Sequence, residues 1–167
     1  MPEQPSSLTI RRATDADWPA LWSIIRAVVA TGDTYTLEPN VPEQSARDYW
    51  TGAGLSTYVA EQNGEIVGTY AIRANQRGLG SHVANAGYMV RSGRSGHGIG
   101  FQLGEHSLAV ARAAGFEAMQ FNAVVSTNTR AVALWQRLGF AIVGTIPKAF
   151  RHQQRGLVDL YVMHRML

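Results

Sequence analysis

Apolar positions along the chain change period several times, and each change predicts an element. Leu21, Trp22, Ile24, Ile25, Val28 and Val29 recur at helical spacing. The helix they predict starts after Asp15 and Asp17, tolerates Pro19 in its first turn and stops at Gly32. Residues 8–12 ahead of it form a short strand, and residues 1–7 read as a frayed lead-in. Residues 34–42 are a loop with Tyr35 and Leu37 as its apolar points, and residues 43–50 a second short helix. Strand character then takes over in residues 57–62 and 65–74, joined by the two-residue hairpin turn Asn63-Gly64.

A turn over 76–80 leads to a strand at 82–90, whose alternation sets Ser81, Val83, Asn85, Gly87 and Met89 on one face. His82, Ala84, Ala86, Tyr88 and Val90 lie on the other. Residues 91–98 are a Gly/Ser/Arg loop, and 99–114 return to the helical period, ended by Gly115. A strand at 119–125, a helix at 128–138 and strands at 140–146 and 158–163 complete the order β-α-α-β-β-β-α-β-α-β-β. Early strands with later interleaved helices predict an α/β (α+β) layer around one mixed sheet. The unit from 82–90 through 99–114 to 119–125 is a right-handed parallel crossover.

Composition narrows the class. A chain of 167 residues with 46% apolar and 16% charged residues matches one folded domain, here 1–167, and excludes a disordered tail. No apolar run approaches the roughly 20 residues that span a bilayer, and no basic-then-apolar leader is visible, so a cytoplasmic protein without membrane partners is expected. The absence of cysteine removes disulfides, thiolate nucleophiles and Cys-type zinc sites. The five histidines lack paired spacing with carboxylates, so no metal is expected. The net charge of +3 is nearly all arginine, Lys148 being the only lysine. The arginines are scattered, which argues against a nucleic-acid groove.

The densest chemical signal is Ser95-Gly96-His97-Gly98-Ile99-Gly100, between a strand ending at Val90 and a helix starting at Ile99. Glycines allow close backbone approach, and free N–H groups at a helix start attract an anion such as phosphate. Arg91 and Arg94 add donors at the rim. The P-loop lysine is absent, and the third glycine of a dinucleotide fingerprint would fall on Phe101 or Leu103.

Val90 through Gly100 resembles the acetyl-CoA motif of the GCN5-related N-acetyltransferases, with Ser95 standing where Arg or Gln is usual. A second motif downstream is similar to that family's: Asn128, Ala131, Leu134, Trp135, Gly139 and Phe140, with Trp135 in place of the usual Tyr. The resemblance runs from Leu8 to Leu167. It implies a largely antiparallel seven-stranded mixed sheet, splayed between its fourth and fifth strands and flanked by about four helices. It also implies acetyl-CoA as cofactor, a small-molecule amine as partner, a direct attack of that amine on the thioester, and a homodimer. The cofactor-binding residues it implies are Met89, Val90, Arg91, Ser95, Gly96, His97, Gly98, Ile99, Gly100, Asn128 and Trp135. Main-chain groups near Met89 and Val90 would pair with the pantetheine arm like an added strand, and Asn128 would reach it from the other side. Trp135 lacks the acidic proton of a tyrosine and also reads as packing.

Asn85 and Asn122 interrupt the apolar strands expected to flank the acyl group. Asn is disfavoured in strands and a buried amide needs partners, so they are candidate catalytic residues for positioning substrate or water, or else amides that bridge the splay. His82 is a candidate base, weighed against a place at the surface. Tyr35 and Glu38, in the loop after the first helix, are candidate substrate contacts; Arg73, Arg77 and Arg151 could meet a carboxylate. Segments 81–87 and 121–122 are similar to yeast acetyltransferases of azetidine-2-carboxylate and other proline analogues. The 34–39 loop is similar to phosphinothricin-type acetyltransferases. Both imply an amino acid or amino-acid analogue as acceptor. A protein or peptide acetyltransferase and a non-catalytic acyl-CoA sensor remain the alternatives.

Overall fold

The computed structural model describes residues 7–167; all of the predicted lead-in but Ser7 lies outside them. Strands β1 (Thr9–Arg12), β2 (Ser56–Gln62), β3 (Glu65–Ala74), β4 (Val83–Val90), β5 (Ala118–Val125), β6 (Ala141–His152) and β7 (Gly156–Met166) build one seven-stranded sheet. Its order is β1-β2-β3-β4-β5-β7-β6. Every neighbouring pair is antiparallel except β4–β5, which the long connection through α3 (Ile99–Ala113) makes parallel. The other helices are α1 (Trp18–Ala30), α2 (Glu43–Thr51) and α4 (Thr129–Arg137).

Two apolar clusters sandwich the sheet. Val59, Ala71 and Met89 pack with Leu21, Ile24, Ile25 and Trp50 from α1 and α2. Ala60, Val67, Tyr70, Ala84 and Ala86 pack on the other face with Leu103 and Leu108 of α3 and Trp135 of α4. β3 is covered on both faces, which is why its apolar run from Ile66 to Ile72 does not alternate. On β4 the expected alternation holds: Met89 meets the α1/α2 side, and Ala84 and Ala86 the α3/α4 side.

The last hairpin is longer than the pattern predicts. Strands expected at 140–146 and 158–163 extend to 141–152 and 156–166. A register shift between Ile146 and Phe150 absorbs Pro147 and Lys148, the latter at φ 53°. The Lys148 N–H donates to Asp159 Oδ1 at 2.9 Å. The turn closes because His152 Nδ1 accepts from the N–H groups of Gln154 and Arg155. The basic stretch 148–155 therefore continues the strand and forms its turn; polar residues on an exposed edge strand conceal the period that marks strands elsewhere.

α3 lies close to α4 because Gly100 and Gly104 offer no side chain there. A Cβ on Gly100 would sit 3.2 Å from Leu134 Cδ2, and one on Gly104 would collide with Leu138 Cδ1. Overpacking at such a contact costs about 1–3 kcal/mol, so Gly104→Val is expected to lower the thermal midpoint by several degrees in a calorimetric melt. An unchanged midpoint would remove this close approach as a constraint.

Near the start of α1, Arg11 donates to both Asp17 oxygens at 2.8 and 2.9 Å, and the Thr14 N–H donates to Asp17 Oδ2 at 2.7 Å. The Arg11 hydrogen bonds hold the Asp17 carboxyl well below the usual range, against the opposing effect of burial. A carboxyl depressed in the folded state adds stability above its unfolded pKa, and that stability is lost as the pH falls through the folded value. Asp17→Asn is accordingly expected to be less stable than the parent at pH 7. The gap in denaturant midpoint should close as the pH falls below about 4.

Candidate active site

β4 and β5 pair at only two positions, Val83 with Ala118 and Ala84 with Met119, and then part. The Asn75 N–H donates to the Val83 carbonyl at 2.8 Å and the Arg91 N–H to the Val67 carbonyl at 2.8 Å. With the unbroken β3–β4 register between them, these bonds turn the main chain of the odd-numbered β4 residues toward β3. The main-chain groups of Ala86, Tyr88 and Val90 face the gap where β5 has left. Unpaired backbone is costly to bury, and a row of it suits an extended ligand laid in as a strand. Met89 lines the cleft, with its side chain buried against α1 and α2 and its amide facing β3. The groups open to the gap beside the glycine loop are those of Tyr88 and Val90.

Asn85 Nδ2 donates to the Gln120 carbonyl at 3.0 Å, so this amide bridges the parting strands. The Tyr35 hydroxyl donates to the Tyr88 carbonyl at 2.8 Å and covers one of the exposed main-chain acceptors. Burial pushes the Tyr35 phenol far up, and that of Tyr88 as well. Both remain neutral donors. The Tyr88 hydroxyl meets Ser107 Oγ at 2.7 Å beneath the sheet.

At the other end of the gap lies the glycine loop. Gly93, Gly96 and Gly98 have φ of 81°, 87° and 77°, conformations that glycine adopts without strain. Gly98 is the N-cap of α3, and the Gln102 N–H makes the first helical bond to its carbonyl at 3.0 Å. The amides of the first turn therefore point outward toward an anion. The sequence reading missed Arg130: its Nη2 lies 2.7 Å from where a Cβ on Gly96 would stand, placing a guanidinium over the loop. Its only sequence signal is a position two residues after Asn128. Ser95, Gly96, Gly98, Gly100 and Val90 line the cleft with Arg94. Arg91, His97 and Ile99 do not. Arg91 Nε donates to the Ile66 carbonyl at 2.8 Å, Ile99 is buried in the core, and His97 is exposed with Nδ1 3.1 Å from the Arg94 carbonyl. These three shape the loop and its anchor instead.

Asn128 lines the cleft as the N-cap of α4, Oδ1 accepting from the Ala131 N–H at 3.2 Å. That leaves its amide N–H₂ for a ligand. Trp135 is buried, with ring centroids 4.6 Å from Tyr88 and 4.8 Å from Phe121, and forms part of the wall.

The gap opens into a cleft of about 970 Å³. Tyr35, Asn85 and Asn122 line it as expected. Asn122 Nδ2 donates to Asn75 Oδ1 at 2.7 Å, and Asn122 Oδ1 accepts from Gln120 Nε2 at 3.0 Å. Glu38 is exposed and lies outside the lining; Asp33, five residues earlier, supplies the carboxylate instead, with Oδ1 accepting from Thr31 Oγ1 at 2.5 Å. His82 is exposed ahead of β4 and also lies outside. Arg73 lines the cleft and forms no ion pair among the described residues. The Thr34 hydroxyl oxygen, in the cleft wall, is buried without a partner among the described residues. A polar ligand would satisfy it. Among the described residues no cluster of three His, Asp or Glu could hold a metal, and no helix is long and apolar enough to cross a membrane.

The glycine cradle, the open main-chain row and the orphan hydroxyl fit a long, phosphate-bearing ligand, and known proteins bear on which one. A chain from Kribbella flavida described as a GCN5-related N-acetyltransferase is 43% identical, covering 98% of this chain and 100% of its own with a TM-score of 0.92. The Salmonella typhimurium protein yncA, solved with its cofactor acetyl-CoA, is 25% identical, covering 97% of this chain and 95% of its own with a TM-score of 0.82. An L-methionine sulfoximine/L-methionine sulfone acetyltransferase of Pseudomonas paraeruginosa is 34% identical over 151 residues, 85% of each chain. The model of the acetyltransferase (GNAT) family matches residues 21–140. With the splay, the cradle and this match in agreement, the chain belongs to the GNAT family of acetyltransferases.

Proposed function

We propose that the protein acetylates the amine of a small amino acid or amino-acid analogue. The observation that carries this reading is that Arg73 and Asp33 line the same cleft. Arg73 is a guanidinium without an ion pair among the described residues, and Asp33 is the carboxylate of the lining. Opposite charges in one pocket suit a zwitterion, since arginine binds a carboxylate bidentately. The loop bearing Asp33 and Tyr35 walls the cleft, which favours a small acceptor over a protein chain. The similarity to the methionine sulfoximine acetyltransferase points the same way.

Bound acetyl-CoA supplies an acyl group already activated as a thioester. The first-turn amides of α3 and Arg130 hold its pyrophosphate. Main-chain groups of Ala86, Tyr88 and Val90, with Asn128 Nδ2, hold the pantetheine arm. Asn85 keeps the gap at its width through Gln120. Asn122, itself oriented by Asn75 and Gln120, would position the acceptor amine; as its nitrogen bonds to the acyl carbon the C–S bond would break, Asp33 taking the amine proton and the thiolate leaving to be protonated from solvent. An N–H in the β4 row would be the donor to the acyl oxygen, where preorganised donors stabilise developing charge.

Thiol release from acetyl-CoA should be highest with proline analogues, methionine sulfoximine or phosphinothricin in a panel that also holds polyamines, aminoglycosides and a lysine peptide. Turnover confined to the peptide would replace this reading with a protein acetyltransferase. Arg73→Met is expected to raise KM about 10- to 100-fold for carboxylate-bearing amines, the worth of one charged hydrogen-bonded contact. An equal rise for amines without a carboxylate would separate Arg73 from acceptor recognition. Asn122→Ala should lower kcat about tenfold with little change in acetyl-CoA affinity; undiminished turnover would leave Asn122 only as a tie to Asn75. Gly98→Val forces a β-branched residue to φ near 77°. It should abolish acetyl-CoA binding by calorimetry while circular dichroism stays native, and retained affinity would contradict the placing of the phosphates.

A further inference from the structure

The basic stretch 148–155 lines no part of the cleft, yet its turn reaches the cleft wall through the main chain. Gln153 donates its N–H to the Gly32 carbonyl at 3.1 Å. Gly32 follows α1 with φ 62° and leads into Asp33, Thr34 and Tyr35, which line the cleft. A Cβ on Gly32 would stand 2.8 Å from Gln153 Oε1 and 3.0 Å from Gln153 Cβ, so the missing side chain lets the turn close on the loop.

Bonds inside the turn fix where that N–H points. His152 Nδ1 accepts from the N–H groups of Gln154 at 3.1 Å and Arg155 at 3.2 Å. Nδ1 is therefore the unprotonated ring nitrogen. His152 is buried, its ring edge-on to Phe150 with centroids 6.4 Å apart, and Phe150 packs with Val125 and Leu160. The turn is thus seated on the sheet, and through Gln153 it holds the start of the segment that walls the cleft. The Tyr35 hydroxyl, on the Tyr88 carbonyl, holds that segment farther along. The connection from α1 to α2 contains no helix or strand, and such segments open at low cost unless they are tied.

We propose that His152 is a positioning residue for acceptor turnover. It shapes a turn whose Gln153 N–H latches the loop carrying Asp33 and Tyr35 against the cleft. The latch rests on the reading of that loop as the acceptor wall. It acts on the acceptor only through the loop and leaves the glycine cradle, built on α3, untouched.

Amide exchange read by mass spectrometry, together with steady-state kinetics on the most active amine of the panel, tests this. In His152→Leu, exchange over residues 31–37 should quicken about fivefold or more. The acceptor KM should rise about five- to tenfold, the worth of one hydrogen bond, with acetyl-CoA affinity by calorimetry held within about twofold. His152→Asn should restore both, because its Oδ1 stands where Nδ1 does and asparagine caps such turns. His152→Gln, whose oxygen lies one bond farther out, should not. Gln153→Pro removes the donor and leaves His152 in place. It should match His152→Leu, and it decides the matter if that variant fails to fold. Unchanged exchange over 31–37 in Gln153→Pro would overturn the latch. So would an equal loss of acceptor and acetyl-CoA binding, or an Asn variant no better than Gln. Quickened exchange with an unchanged acceptor KM would confine His152 to the fold and equally overturn the proposal. Wild-type turnover of the lysine peptide alone would strike only the small-acceptor reading; the same exchange and KM shifts, read with the peptide, would still decide the latch.

Discussion

The parting of β4 from β5 after two paired residues is the constraint on which the site depends. A sheet that stayed closed would spend the main-chain groups of Ala86, Tyr88 and Val90 on its own ladder. The gap leaves them for a ligand, yet it must not widen further. The Asn85 amide spans it to the Gln120 carbonyl, and the Tyr35 hydroxyl covers the Tyr88 carbonyl. β5 is meanwhile drawn to β7, with a register shift between Phe121 and Val124 that turns Asn122 and Ala123 toward the cleft. A bulge of this kind re-aims side chains without breaking the strand.

Charge is distributed along the cleft to match. Cations gather at the glycine loop and the start of α4, where Arg130 stands over Gly96 and Arg94 is tied to Glu65 at 2.8 Å. The middle is neutral: aromatic rings, amides, and phenols that burial keeps protonated. Charge returns in the cleft wall with Arg73 and Asp33. An interior of low polarity strengthens each hydrogen bond made there.

Much of this was legible along the chain. Period changes located the helices and most strands, because one buried face per element repeats every 2 or 3.6 residues. The alternation on β4 and the glycine loop were local facts of the same kind. The asparagines at 85 and 122 stood out because an amide within an apolar strand demands partners. Which partners they have was not legible: Gln120 comes from another strand and Asn75 from the bend after β3, 35 and 47 residues away.

The misplacements share that cause. Glu38 and Asp33 lie on one loop, and nothing in its composition says which carboxylate turns inward. Met89 belongs to the correct strand, but the β3 register decides which of its neighbours keeps a free amide. Arg91 and His82 sit beside the motif and point elsewhere. Local pattern thus determined the elements, the phosphate cradle and the family. Tertiary structure alone decided how far β4 and β5 open, which side chains meet across the cleft, and where Arg130 stands. Those outcomes depend on contacts between segments far apart in the chain, and no local period encodes them.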